Sequence, residues 1–345
     1  MVNYVIEVFE SEKQHAGPKA KMDVIHFLKQ RGFHRILIDS QFKKLSKLIF
    51  YPSYLNNKVK QINSDDLVVI QHPMNIGKEF EWGFINKLKK KKCKIIVLVH
   101  DISSFRHENR LSIKEEIRFF NLSAGVIVHN NFMNDYLRHN GLTVKTTSLG
   151  VFDYYFQGNR VNHSSITFPI SVNYAGNINK SKFVSLLPTS EKVHYEIFGP
   201  LDKKEILENS GGGLTYHGSL DPTIIPLKLK NGFGLVWDGD SIQTCTGIYG
   251  SYLKINNPHK ASLYLAAGIP VIVWDKSAMA EFVIKNKVGI VIKNVAEIES
   301  KISVMSSDEL NTIAKNVSKI QSNIRNGYYI TNSLNKIVNG GLGDD

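Results

Sequence analysis

The stretch Tyr249 to Val273, YGSYLKINNPHKASLYLAAGIPVIV, decides most of what the chain reveals about itself. Asn257 is a favourable helix N-cap and Pro258 a favourable first helical residue, so a helix is predicted from there through Ala267. His259 and Lys260 then fall in its first turn, where cations oppose the positive end of the helix dipole unless an anion is present. A phosphate reconciles them. A helix start with free N–H groups, a lysine in the first turn and a second, Lys254, in the preceding loop together make a candidate diphosphate cradle. The plain alternative is a surface helix with incidental basic residues. Gly268 and Pro270 close the helix, and the apolar run Val271–Val273 opens a strand.

Working outward, the same rhythm repeats along the chain. Short Val- and Ile-rich runs predict strands near 4–9, 36–39, 67–70, 95–100, 125–129 and 144–148, and again near 170–174, 194–198, 214–217, 233–237, 270–274 and 289–292. Stretches of helical period lie between most of them; the first, Lys19 to Arg31, places Ala20, Val24, Phe27 and Leu28 on one face. Unalternating strands joined by helices mean parallel sheets covered on both faces. The expected organisation is a first domain over 1–152, a linker over 153–167 where periodicity fades, a second domain over 168–325, and a C-terminal helix and tail over 326–345 that packs on the second domain.

The chain has 345 residues, 42% apolar and 21% charged, which suits two globular domains and excludes disorder or coiled coil as a description of the whole. The longest aliphatic run, Ile95–Val99, is far short of a membrane span. The first ten residues lack a basic n-region and carry Glu7, so they read as a strand rather than a signal peptide, and a cytoplasmic location is expected. Cys93 and Cys245, one in each half, have no metal or disulfide spacing and are expected as reduced thiols. The net charge of +12 admits nucleic acid, an acidic membrane or a phosphorylated substrate as partner.

The helix followed by Ala266-Ala267-Gly268-Ile269-Pro270-Val271-Ile272, then Glu281-Phe282-Val283 and Gly289-Ile290, resembles the C-terminal half of GT-B glycosyltransferases. With Asn256-Asn257-Pro258-His259-Lys260, Tyr174-Ala175-Gly176-Asn177-Ile178, Phe198-Gly199-Pro200, Tyr216-His217-Gly218 and Trp237-Asp238-Gly239, the chain is similar to the glucosyltransferases that extend N-acetylglucosamine on serine-rich-repeat adhesins. It also resembles related galactofuranosyl- and polysaccharide glycosyltransferases. The resemblance implies an α/β GT-B fold: two Rossmann-like, doubly wound parallel-sheet domains facing a central cleft. It further implies a UDP-sugar donor as co-substrate, a glycosylated adhesin as acceptor and a homo-oligomer.

Carried over by residue, Asn177 and Lys180 lie over the cleft, Gly199 and Pro200 shape a loop against uracil, and Asp238 accepts a ribose or sugar hydroxyl. Lys254, Asn257, His259 and Lys260 hold the diphosphate, so loss of Lys260 is expected to abolish donor binding. Many retaining GT-B enzymes carry Glu-x7-Glu, but the corresponding positions here are Ile255 and Leu263, which leans the expectation towards inversion. Asp238-Gly239-Asp240 spells a metal-binding Asp-x-Asp, yet lysines already supply the charge, and a metal-independent reaction with no cofactor is expected.

Inversion needs a base in the first domain. The candidates are His15, His72, His100, Asp101 and His129, with Asp101 first because it ends an apolar strand, and His15 next, in the loop that continues through Gly17 and Lys19 toward the donor phosphate. Gly211–Gly213 lacks the following Gly-Lys-Ser/Thr of a P-loop, and no Gly-x-Gly-x-x-Gly follows the first strand. Lys87 to Lys94 holds six lysines in eight residues. It is either a solvated helix end or an electrostatic dock for an acidic membrane, implying at most weak peripheral association. Nucleic acid is not expected, since lysines are scattered and no recognised module is present. A non-catalytic GT-B relative is a further alternative, disfavoured by the retained phosphate cradle.

Overall fold

A computed structural model describes residues 1–9, 16–40, 44–106, 111–158, 169–202, 207 and 213–340. The chain divides into two compact units, one of residues 1–150 with 327–345, the other of residues 151–326.

The first unit carries six strands: β1 Asn3–Phe9, β2 His34–Asp39, β3 Leu67–His72, β4 Lys94–Val99, β5 Gly125–Val128 and β6 Lys145–Ser148. All pair in parallel in the order β2-β1-β3-β4-β5-β6. The helices between them are α1 Ala16–Gln30, α2 Lys44–Lys58, α3 Lys78–Lys90, α4 Ser103–Arg106, α5 Ile113–Phe120 and α6 Asn131–His139. The predicted inner face of α1 is buried, with Ala20, Val24, Phe27 and Leu28 at most 5% exposed. Strands β3, β4 and β5 are buried almost throughout, as unalternating apolar runs require.

The second unit repeats the scheme with β7 Ile170–Ala175, β8 Val193–Phe198, β9 Leu214–Tyr216, β10 Gly232–Val236, β11 Val271–Trp274 and β12 Gly289–Ile292, all parallel in the order β12-β11-β10-β7-β8-β9. All twelve expected strands are present, with ends shifted by one or two residues. The core on one face of this sheet includes Tyr174, Phe183, Tyr195, Trp237 and Trp274.

Two expectations differ from the fold. The segment opening the expected linker is packed: Asp153, Tyr154 and Phe156 are at most 3% exposed, and the Tyr154 hydroxyl donates to the Pro222 carbonyl at 2.5 Å. The polar composition beyond it hid three anchoring side chains. Residues 159–167 of that linker, and the tail after Gly340, lie outside the described residues.

The last helix, Tyr328–Asn339, packs on β5, β6 and α1 of the first unit rather than on the second. Room for it is left by two glycines. A Cβ on Gly125 would meet Ile337 at 2.6 Å, and one on Gly327, at φ 68°, would meet Phe27 at 2.5 Å. Amphipathic period says that a helix is packed, not which sheet receives it.

Candidate active site

In the second sheet the strand order reverses between β7 and β10, and open α/β sheets bind ligands outside the carboxyl ends of the strands at that point. Gly176, Asn177 and the 3-10 turn Ile178–Lys180 follow β7; Trp237, Asp238 and Gly239 follow β10. After β8 comes Gly199, at φ 138°, where a Cβ would fall 1.8 Å from the Gly176 carbonyl oxygen. Only glycine lets the two loops touch. Their backbones are stitched together: Gly176 N–H donates to the Phe198 carbonyl at 3.0 Å, Gly199 N–H to Gly218 at 2.9 Å and Ile178 N–H to Pro200 at 3.1 Å. The Tyr216 hydroxyl adds a bond to the Gly199 carbonyl at 2.9 Å. The result is a floor of bare backbone at the carboxyl ends of β7, β8 and β9, with Asn177 exposed on it and Pro200 half-buried.

The lysines around this floor fall into two kinds. Lys260 donates to Asp238 Oδ1 at 2.8 Å and to the Trp237 carbonyl at 3.0 Å, and lies 4.8 Å from the Tyr174 ring centroid. Its side chain is 13% exposed. Burial pushes its pKa down, but the adjacent Asp238 carboxylate more than compensates and holds it above the ordinary lysine value. Its charge is matched within the protein.

Lys180 and Lys254 are different. Both are exposed, and each rests on an aromatic face, Lys180 5.3 Å from the Tyr249 centroid and Lys254 5.8 Å from that of Trp274. Among the described residues neither has a carboxylate partner. A cation held over a ring keeps its N–H groups available for an anion.

The helix of the decisive stretch runs His259–Ala266, with Pro258, not Asn257, at the N-cap. Asn257 is buried, 4% exposed, and lies one residue before the N-cap, so the helix begins one residue later than its capping preference suggests. The His259 ring stacks on Tyr154 at 4.9 Å and meets Phe152 edge-on at 6.0 Å. These contacts attach the helix start to residues 152–154. The Asp-x-Asp carboxylates each face a lysine: Asp238 bonds Lys260, and Asp240, well exposed, lies 4.0 Å from Lys182. Among the described residues no cluster of three or more His, Cys, Asp or Glu is placed to hold a metal.

The first unit treats its titratable groups differently. Asp101, after β4, accepts from Arg106 at 2.5 Å, with a third of its side chain exposed. His129 is 1% exposed and contacts the Val99 carbonyl at 3.0 Å; burial pulls its pKa down to about 4, which keeps the ring neutral. His100 Nε2 meets Gln71 Oε1 at 2.8 Å, and Gln71 in turn donates to the Ile6 carbonyl. Lys19, expected near the donor, is buried and its ammonium pairs with Asp23 one turn along α1. Gly17 lies in the first turn of α1, and His15 lies outside the described residues.

Glu116 on α5 escaped notice in the sequence. It is fully buried, meets His72 Nε2 at 2.7 Å, and accepts from the N–H groups of Ser103 and Ser104 and from the Ser104 hydroxyl at 2.6 Å. Burial alone would raise its pKa, but the bonds from His72 and Ser104 outweigh it and keep the carboxylate ionised. Glu116 thereby caps α4 and fixes the segment running from Asp101 to Arg106. The one sequence signal was an acidic residue on the apolar side of an amphipathic helix. Tyr249 and Trp274, the platforms for the two open lysines, gave no signal, because an aromatic beside a lysine is ordinary composition.

Two doubly wound parallel sheets, one carrying a glycine floor and open cations at its switch point, are the architecture of GT-B glycosyltransferases. Solved structures share it: a sucrose-phosphate synthase from Thermosynechococcus elongatus superposes with a TM-score of 0.64 at 11% identity, covering 99% of both chains. The lipopolysaccharide outer core galactosyltransferase WaaB gives a TM-score of 0.62 at 13% identity over 99% of this chain and 100% of that one. The chain belongs to the glucosyltransferase 3-like family, whose N-terminal domain matches residues 2–151 and C-terminal domain residues 172–337. It is a glycosyltransferase. It is 29% identical to the β-1,6-galactofuranosyltransferase WbbI of Escherichia coli (strain K12), over 97% of this chain and 98% of that protein. It is likewise 29% identical to glucosyltransferase 3 of Streptococcus gordonii, over 90% of each.

Proposed function

We propose that the chain moves glucose or N-acetylglucosamine from a UDP-sugar onto a sugar hydroxyl, the acceptor being N-acetylglucosamine already carried by a Ser/Thr-rich adhesin. The observation that carries the donor reading is the pair Lys180 and Lys254, exposed cations without carboxylate partners among the described residues, flanking a backbone floor at the switch point of the second sheet. A diphosphate supplies the charge they lack, and charge-assisted contacts of this kind are among the strongest that a site offers. Lys260 serves that role indirectly: it fixes Asp238, whose second oxygen is then aimed for a ribose or sugar hydroxyl. Asp101, oriented by Arg106, is the first-unit carboxylate assigned to the acceptor hydroxyl.

A second reading, transfer of galactofuranose during surface-polysaccharide synthesis, is favoured by the fuller match to WbbI at equal identity. The two separate in one experiment, in which UDP release is followed for a panel of UDP-sugars with no acceptor, with a GlcNAc-bearing peptide and with a saccharide acceptor. Turnover of UDP-glucose that requires the glycopeptide supports the first reading. Turnover of UDP-galactofuranose on the saccharide transfers the assignment to the second, and binding of UDP-sugars without transfer to either acceptor overturns both.

A further inference from the structure

The lysine-rich run Lys87–Lys94 divides in two once folded. Lys87 donates to Asn56 Oδ1 at 2.6 Å, Lys91 to the carbonyls of Lys60 at 3.2 Å and Ile62 at 2.8 Å, and Lys94 to the Val338 carbonyl at 2.7 Å. These three tie the end of α3 to the end of α2 and to the last helix. Lys89, Lys90 and Lys92 remain exposed, without a carboxylate partner among the described residues. The Lys91 bonds bring them beside Lys60, also exposed, and near Lys58, which lies over the Tyr54 ring at 5.1 Å. Five cations therefore collect on the turns leading into β3 and β4, at the amino edge of the first sheet. The carboxylates of the same turns are Asp65, exposed, and Asp66, which is buried and accepts from the N–H groups of Val2 and Asn63.

The helix that ends in this cluster also exposes an apolar pair. Tyr51 and Leu55 form the inner face of α2, with Val59 buried just past its end, while Ile49 and Phe50 stand outward, 63% and 61% exposed. Helical rise places them roughly 12–14 Å along α2 from Lys58, within the reach of a helix lying flat in an interface.

We infer that the outer face of α2, together with the end of α3, docks on an anionic lipid surface. The lysines are drawn to the negative headgroups within a Debye length, and Ile49 and Phe50 enter the boundary between headgroups and acyl chains. Nucleic acid fits the face less well. Among its described residues the cluster contains no arginine to fork onto phosphates. The cluster stands at the edge of the sheet opposite Asp101, so docking and acceptor chemistry use different ends of the same unit.

The full chain is pelleted with vesicles of phosphatidylcholine alone, or with about a third phosphatidylglycerol, at about 0.1 M and about 0.5 M salt. Binding is expected to the anionic vesicles at low salt only. The K89E/K90E/K92E variant is expected to lose at least about tenfold in vesicle affinity, and Phe50→Ser several-fold, with unfolding curves unchanged because all four side chains are exposed. Absence of binding by the parent chain, binding equal on both vesicle types, or binding indifferent to the triple substitution overturns the inference. So does tighter binding to single-stranded RNA than to the anionic vesicles, since the same lysines would then serve a nucleic acid. Donor turnover is followed in parallel; its preservation in the triple variant supports a surface separate from the site.

Discussion

The two sheets end in opposite electrostatic states at their carboxyl edges. In the second unit, Lys180 and Lys254 sit on aromatic faces with no carboxylate partner among the described residues, beside a floor of glycine backbone. In the first, three groups among the described residues are already paired: Glu116 with His72 and the α4 amides, Asp101 with Arg106, and Lys19 with Asp23. An edge with exposed cations suits the anionic donor proposed above. An edge with matched charges holds a segment still, and on it Asp101, the residue proposed for the acceptor hydroxyl, keeps a third of its side chain exposed.

The strongest way to break this contrast is to unlock the closed edge. Glu116→Ala leaves His72 and the Ser103 amide buried, and the Ser104 amide part-buried, without their carboxylate, and a loss of about 3–5 kcal/mol in urea unfolding is expected. A loss under about 1 kcal/mol would show that the network is incidental. The Asp101→Asn substitution keeps the shape of the side chain but removes its charge. A fall of roughly 10²–10⁴ in transfer with unchanged donor affinity is expected from removing a general base, and normal turnover would take Asp101 out of the mechanism.

His129 tests the same edge through pH. Its folded pKa of about 4 lies below the unfolded value near 6.5, so between those limits the unfolded chain binds more protons. The stability it contributes is present above about pH 6.5 and is lost as pH falls toward 4, an effect of about 3 kcal/mol. His129→Gln should flatten that part of the stability profile, measured by denaturant unfolding from pH 7 to 4.

The open edge is sharpened by comparing its lysines. Lys254→Ala and Lys180→Ala should each weaken UDP-sugar binding by roughly ten- to a hundredfold without altering unfolding, the loss of one charge-assisted contact apiece. Lys260→Ala should do the reverse, costing about 1–3 kcal/mol of stability because Asp238 and the Trp237 carbonyl lose their donor, with a smaller effect on affinity. Calorimetric titration beside unfolding curves reads both. Equal affinity losses at all three positions would erase the distinction between open and matched lysines.

Legibility followed the same division. Glycines 176 and 199, Lys180, Asp238 and Lys254 were readable because the floor is made by backbone and by local loop order, and both leave motifs in a linear sequence. The roles within that set were not readable, since Lys254 and Lys260 look alike until Asp238 is placed beside one of them. In the first unit Asp101 was visible as a strand end, whereas Arg106 and Glu116, which fix its surroundings, were not, because their partners come from other elements.

The sequence by itself determined the twelve strands, the helices between them and the two-sheet class, since apolar period and turn residues act over a few neighbours. Only the tertiary structure decided which charges meet. It paired Lys260 with Asp238 and left Lys254 exposed, split the Lys87–Lys94 run into tied and exposed lysines, and set the last helix on the first sheet beside Gly125. Each of those outcomes depends on a partner 22 residues or more away along the chain, and the energy of a contact is not written at either of its ends.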